Sequence, residues 1–333
     1  MRGQPQRRTA TRAPRSEAEL RRGHRPEVAA SAGEDLTAQG RDLPLDSHLH
    51  TNLSPDSDVP IDVYAAQAIT RGIAELAITD HVDFAPGTPA YRFVPFAERE
   101  RIVREAAERW APQGVAIRFG VEITYDRRYE ADIREHLAGH AYDYVIGSVH
   151  VYADSPFHAS RVAAWTAGRP LAEIVAPYFD EVLRAIRSGL FDTIGHLDFV
   201  KRYLVPYVSP AQLAGAPELY EPLLIALVET GSALEVNTSG LRQPANETYP
   251  AAPIVERFRV LGGTRVSAGS DAHRADAFTM GLAEGYRVVA AAGISELAFR
   301  RGGSRVAVAL PNRFITQERP EGAHLTRQGI PSL

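Results

Sequence analysis

Leu45-Asp46-Ser47-His48-Leu49-His50 is a short run that reads as a β-strand ending in metal-binding side chains. Strand side chains alternate with a period of two, so His48 and His50 share one face. Two donors carried on one rigid strand end can share a metal ion with little further ordering. Asp271-Ala272-His273 repeats the device far along the chain. Between these two points short β-like runs that end in polar residues alternate with helical stretches.

The strand candidates are Leu45–His50, Ile73–Thr79, Ala116–Thr124, Tyr144–Val149, Thr193–Phe199, Ala233–Asn237 and Arg265–Ala268. The helical stretches are Ile61–Arg71, Phe96–Trp110, Arg127–Ala138, Pro170–Ser188, Pro217–Thr230, Pro253–Leu261, Met280–Ala292 and Ser295–Arg301. Pro60 suits a helix start, and Gly72, Gly231 and Gly262 sit where helix C-caps belong. Such alternation argues a parallel α/β sheet, and seven units fit one closed or nearly closed barrel. A doubly wound open sheet is the rival. No Gly-x-Gly-x-x-Gly follows the first strand, which weakens a dinucleotide-binding reading.

Composition narrows the function. The 333 residues are 44% hydrophobic and 23% charged, as in globular domains. Zero cysteines excludes a disulfide framework, thiolate-held clusters and a cysteine nucleophile. No run of about 18 apolar residues occurs, so no membrane span is expected and a cytoplasmic location is. Residues 1–41 hold nine arginines and five acids, a formal +4, and residues 1–42 read as a disordered tail. The rest holds 28 basic and 36 acidic residues, a formal −8. An acidic body makes nucleic acid an unexpected partner, because backbone phosphates require a basic track. A homo-oligomer is compatible with this surface. The barrel is expected over residues 43–315, and residues 316–333 read as an irregular tail, with irregular chain from Pro311 onward. Of the 37 basic residues 36 are arginine, and Lys201 is the lone lysine.

Six of the 11 histidines lie at or just past predicted strand ends: His48, His50, His81, His150, His196 and His273. In a parallel barrel those ends meet on one face, where active sites form. Asp56, Glu122 and Asp271 add carboxylates there. Nine donors exceed the three or four protein ligands of a zinc site, and suit two or three ions. Nitrogen and oxygen donors without sulfur allow Zn, Mn, Fe or Co. Three divalent ions, three carboxylates and a hydroxide leave about +2, which complements a phosphate monoester dianion. Metal-assisted phosphoester hydrolysis is the implied chemistry.

His48-Leu49-His50-Thr51, Ile78-Thr79-Asp80-His81, Gly147-Ser148-Val149-His150 and Ser270-Asp271-Ala272-His273 together resemble the polymerase-and-histidinol-phosphatase (PHP) superfamily over about residues 45–275. The resemblance implies a distorted seven-stranded, TIM-like barrel with a trinuclear site at the C-terminal strand ends. The nine donors fall on that superfamily's ligand positions one by one. Gly195-His196-Leu197-Asp198-Phe199-Val200-Lys201-Arg202 and Glu235-Val236-Asn237-Thr238-Ser239-Gly240-Leu241-Arg242, with Tyr249-Pro250 after them, are similar to the monofunctional histidinol-phosphate phosphatase branch. That branch implies hydrolysis of L-histidinol phosphate by a metal-bridging hydroxide. Nucleotides or oligonucleotide ends are the alternative substrates, and a noncatalytic metal-binding protein is a third reading that the complete donor set disfavours.

Further roles are expectations. Arg161, Arg202 and Arg242 follow strand-end motifs and are candidates to hold phosphate, Arg161 first, because guanidinium forks match phosphate oxygens. Lys201, Asn237 and Ser239 are candidate substrate contacts. Asp198 is a candidate to protonate the leaving alkoxide, or, like Asp80, to orient an imidazole. Tyr91, Phe93 and Phe96 are expected in an imidazole-sized pocket or lid.

Overall fold

A computed structural model describes residues 43–151 and 154–315. The two expected tails lie outside the described residues.

Seven parallel strands form a ring: β1 (Leu43–Leu49), β2 (Ile73–Ile78), β4 (Ala116–Thr124), β5 (Tyr144–Ser148), β6 (Thr193–Ile194), β7 (Ala233–Asn237) and β8 (Val266–Gly269). A two-residue strand, β3 (His81–Val82), pairs beside β4 in parallel. The ring closes where the Asp271 N–H donates to His48 O (2.8 Å) and the His50 N–H to Ala272 O (3.0 Å). These bonds draw both ends of the chain's donor set to one point.

Helices clothe the ring. The longer ones are α1 (Ile61–Arg71), α2 (Phe96–Trp110), α3 (Glu130–Gly139), α5 (Leu171–Ser188), α8 (Glu221–Thr230), α9 (Ala252–Val260) and α10 (Leu282–Ala291). Short turns of helix, α4 (Val162–Thr166), α6 (Lys201–Leu204), α7 (Pro210–Ala214) and α11 (Asn312–Ile315), fill the connections. In α5, Ile174, Val175, Tyr178, Phe179, Val182, Ala185 and Ile186 are buried. This is the three-and-four spacing of an amphipathic helix laid on a sheet.

Three expectations are corrected. The strand expected over Thr193–Phe199 stops at Ile194, because His196 takes a left-handed φ of +23° that no strand accommodates. Ser295–Arg301, expected as helix, supplies β9 (Glu296–Arg301), paired antiparallel with β10 (Ser304–Ala309). Gly302 and Gly303, at φ +52° and +81°, make the turn that a helix would not survive. The chain after Pro311, expected as irregular, has one helical turn, α11. The hairpin covers the N-terminal end of the barrel. There Arg301 and Arg118 both pair with buried Glu75 of β2, and Phe299 packs on Tyr144.

Candidate metal centre

All but one of the donors are set at or near a strand end, and Asp56 comes from the loop between β1 and α1. His48 is the last residue but one of β1 and His50 follows the strand, both without solvent exposure. Gly269 of β8 makes the first possible, since a Cβ there would collide with the His48 Cβ. His81 opens β3 opposite Glu122 of β4. His150 and His196 lie two residues past β5 and β6, and Asp271 and His273 just past β8. His196 and Asp271 both hold positive φ, +23° and +51°. Such strained backbone persists where the surrounding structure demands a particular side-chain direction.

All nine expected donors come together. Glu122 is the hub. Its Oε2 lies 3.2 Å from His48 Nε2, 3.2 Å from His50 Nε2 and 3.1 Å from His81 Nδ1. Its Oε1 lies 2.9 Å from His196 Nε2 and 3.7 Å from His150 Nε2. Asp56 Oδ2 joins His81 Nε2 (3.3 Å) and His273 Nε2 (3.1 Å). Asp271 Oδ1 sits 3.4 Å from both His50 Nε2 and His273 Nδ1. Three groups have donor atoms within 4.8 Å of one another: His50, Asp56, His81 and His273; His48, His50 and Asp271; His81, Glu122 and His150. His50 and His81 each belong to two of them.

The donor set fits divalent cations. Buried Glu235 accepts from His48 Nδ1 at 2.7 Å. With its Nδ1 proton held by Glu235, the ring turns Nε2 toward His50 Nε2 (3.0 Å) and two carboxylates; burial opposes a charge on it, but Glu235, Glu122 and Asp271 favour positive charge there and hold its pKa well above the ordinary value. Lone pairs crowded this way repel unless a proton or a cation lies among them. His196 Nδ1 is also buried with no hydrogen-bond partner. The electrostatics agree. Burial opposes ionisation of Glu122 and Asp271, yet the surrounding imidazoles, His48 foremost, hold both carboxylates well below their ordinary range. Burial pushes His150 down to about 3, keeping it neutral and able to coordinate.

A further layer of hydrogen bonds aims these donors. Asn237 Nδ2 and Ser239 Oγ donate to Asp271 Oδ2 at 3.2 and 3.1 Å, turning Oδ1 toward the imidazoles. Thr124 Oγ1 lies 3.0 Å from His150 Nδ1. Glu235 Oε2 accepts the His196 N–H at 2.7 Å and Asn237 Nδ2 at 3.0 Å. Sequence reasoning missed Glu235. The available signal was its spacing of two from Asn237 in β7, which sends both side chains into the barrel.

The remaining expected residues lie elsewhere. Asp198 is buried and bonded to Lys201 Nζ and Tyr220 OH, each at 2.9 Å. Lys201 also reaches Glu247 Oε1 (2.6 Å) and Thr248 O (3.2 Å), so its ammonium is spent inside the protein. Asp80 accepts from the Thr51 N–H and hydroxyl, not from an imidazole. Arg242 donates to the carbonyls of Ser270, Asp271 and Met280 and steadies the turn that carries Asp271. Arg202 is exposed and lies over the Phe199 ring. Arg161 is exposed, with Nε on Ser155 O at 3.0 Å.

A cavity of 420 Å³ opens on the centre, walled in part by Asp56, Glu122, His150, His196, Asp271 and His273. Beside it lies a cavity of 630 Å³ with an aromatic wall that includes Phe84, Tyr91, Phe93, Phe96, His136 and Tyr142. The expected aromatic trio is thus on one wall. His81, Asp83 and Ala90 line both cavities.

Fold and centre together define a parallel α/β barrel with an imidazole–carboxylate cluster that could hold metal ions at its C-terminal end. The PHP domain model matches residues 46–239, and the chain belongs to the PHP domain family. A probable histidinol-phosphatase of Deinococcus radiodurans is 33% identical over 236 residues, covering 69% of this chain and 86% of that protein. The histidinol-phosphatase of Lactococcus lactis is 28% identical over 265 residues, covering 76% and 93%. The crystal structure of histidinol phosphate phosphatase from Lactococcus lactis, complexed with Zn, L-histidinol and phosphate, superposes with a TM-score of 0.69 at 25% identity, covering 79% of this chain and 98% of that one.

Proposed function

We propose that this chain hydrolyses phosphomonoesters and that L-histidinol phosphate is its substrate. One observation carries the reading: Glu122 spreads its two oxygens among five imidazoles on the wall of an open cavity. The relatives named above support the choice of substrate. His48, His50, Asp56, His81, Glu122, His150, His196, Asp271 and His273 would hold two or three divalent ions, with Zn, Mn and Fe as candidates. Bound there, such ions lower the pKa of water and stabilise charge on phosphoryl oxygens.

The protein's own residues orient and shield. Glu235 fixes the His48 tautomer, and Asn237 with Ser239 aims Asp271. Phe199 packs on His196 and His150, at ring separations of 4.7 and 5.6 Å, and keeps water from that side. Arg161, which is exposed in the loop after His150 with its Nε on Ser155 O, is our candidate to reach over and grip the phosphate. Asp198 acts through the turn after His196, which its bonds to Lys201 and Tyr220 hold in place. The described residues contain no helix long and apolar enough to cross a membrane, and the proposed partner is a small phosphorylated metabolite.

The test is steady-state phosphate release by metal-loaded protein on L-histidinol phosphate, AMP and a short single-stranded oligonucleotide. A kcat/KM for L-histidinol phosphate a hundredfold above AMP supports the proposal. Preference for AMP or the oligonucleotide keeps the chemistry and overturns the substrate. No release from any of the three, with metal bound, overturns both.

A further inference from the structure

A third cavity, of 700 Å³, lies between α3 and α5 and shares no lining residue with the two described above. Arg127 and Arg134 line it from the chain after β4, and Arg184 and Arg187 from α5. Four guanidiniums thus gather in a body that is acidic overall. The charge of Arg184 is felt at the Tyr125 hydroxyl on the facing wall. Asp180, Arg184 and Arg187 follow one another at spacings of four and three along α5, so they share one face of that helix.

Arg187 lies in the last turn of α5, where the helix dipole favours any cation, so its presence alone carries nothing. The pairing around it decides. Glu130 is spent: its Oε2 accepts the Tyr125 hydroxyl at 2.7 Å and its Oε1 accepts Arg134 Nη2 at 3.0 Å. Glu181 is spent on Arg127, accepting the backbone N–H at 2.7 Å and facing Nε at 3.0 Å. Among the described residues no carboxylate lies within ion-pair distance of Arg184 or Arg187, and no cation within that distance of Asp180. Two guanidiniums and one carboxylate on a single helix face therefore line the cavity without ion-pair partners.

We propose that this groove binds inorganic phosphate at a site separate from the metal centre. The forks of Arg184 and Arg187 match two phosphate oxygens. Arg127 and Arg134, held by their own carboxylates, add positive field around them. Asp180 accepts the O–H that hydrogen phosphate carries near neutral pH, an ionised carboxylate being an acceptor only. All three unpaired groups are then used. Sulfate has the same shape and charge but no O–H, so it sets a bare oxygen against the carboxylate and is rejected. The dianion of a phosphomonoester lacks the O–H as well, which separates this ligand from the ester proposed for the metal centre. The site stands whether or not that ester is hydrolysed.

The test is equilibrium dialysis of the metal-loaded full chain against labelled inorganic phosphate at neutral pH, with unlabelled phosphate or sulfate as competitor. The groove's share is the phosphate bound by wild type and missing from Arg184→Gln/Arg187→Gln. We expect the double variant to bind one phosphate per chain fewer, with metal content unchanged and Tm unchanged in phosphate-free buffer. Sulfate should displace the groove's share at least about tenfold less well than phosphate does. Asp180→Asn keeps both arginines and puts an amide where the acceptor was, so sulfate should compete there as well as phosphate. Equal phosphate binding by wild type and the double variant overturns the site. Equal displacement by sulfate and phosphate in wild type overturns the role of Asp180 and with it the ligand. If the double variant melts early or loses metal, Asp180→Asn decides alone, and an unaltered preference for phosphate in that variant overturns the proposal.

Discussion

Glu235 Oε1 lies 2.7 Å from His48 Nδ1, and neither side chain has any solvent exposure. One carboxylate thus sets the tautomer of His48, while its other oxygen takes the His196 N–H. Outer partners of this kind typically change metal affinity by about 10–100-fold. Glu235→Ala is expected to lower metal retention by that order. Glu235→Gln should also lower retention, because an amide oxygen kept on Nδ1 turns the amide NH2 against the His196 N–H and Asn237 Nδ2, two donors that the carboxylate accepts. Metal content after dialysis against graded chelator measures both. Full retention by the alanine variant would remove Glu235 from the centre.

Glu122 faces five imidazoles, whereas His273 faces two carboxylates, Asp56 and Asp271. Glu122→Ala should therefore lose more metal per chain than His273→Ala. His48→Ala and Asp271→Ala should also lower metal content and abolish turnover. Removing metal from wild type should lower Tm, and adding it back should raise Tm with concentration, because ligands that bind the folded state stabilise it by mass action. Elemental analysis with thermal melts checks each step. Equal metal loss from Glu122→Ala and His273→Ala would mean that Glu122 is no hub.

Lys201 and Asp198 form a buried pair at 2.9 Å, tied to Glu247 and Tyr220. Removing one member of a buried pair leaves the other charge uncompensated and costs about 3–5 kcal/mol. Lys201→Met should lose stability of that order in urea, with turnover falling because the His196 turn loosens. If Lys201 gripped substrate phosphate instead, stability would be unchanged and KM alone would rise.

The ring was legible in the sequence because parallel strands buried on both faces end abruptly in polar donors. Tyr144–Ser148 followed by His150 is such a case, and so is Ala233–Asn237. What escaped reading depended on partners far along the chain. The hairpin of Glu296–Arg301 and Ser304–Ala309 is held by Glu75, more than 200 residues away in sequence. Propensity cannot report that anchor. Lys201, Asn237 and Ser239 were visible as polar residues near strand ends, but not the direction in which each points. All three bind protein groups, and that choice is made by packing. Glu235 was hidden by its position inside a strand, where a carboxylate makes sense only beside the imidazole it serves.

His136 offers a test of the aromatic cavity through pH. Burial, aided by the charges of His140 and Arg99, lowers its pKa from an ordinary 6.5 to about 4. The unfolded chain therefore binds this proton before the folded one does. Stability contributed by the neutral ring is complete above about pH 6.5 and is lost as pH falls toward 4. The full shift would be worth about 3 kcal/mol, and the ring's partial exposure reduces this to about 1–2 kcal/mol. His136→Gln removes the titrating group, so its unfolding free energy should decline less than that of wild type between pH 6.5 and 4.5. Urea titrations across that window measure the difference. Parallel curves would show that the ring at the cavity wall stays solvated, and with it that this wall is too wet to seat a flat aromatic group.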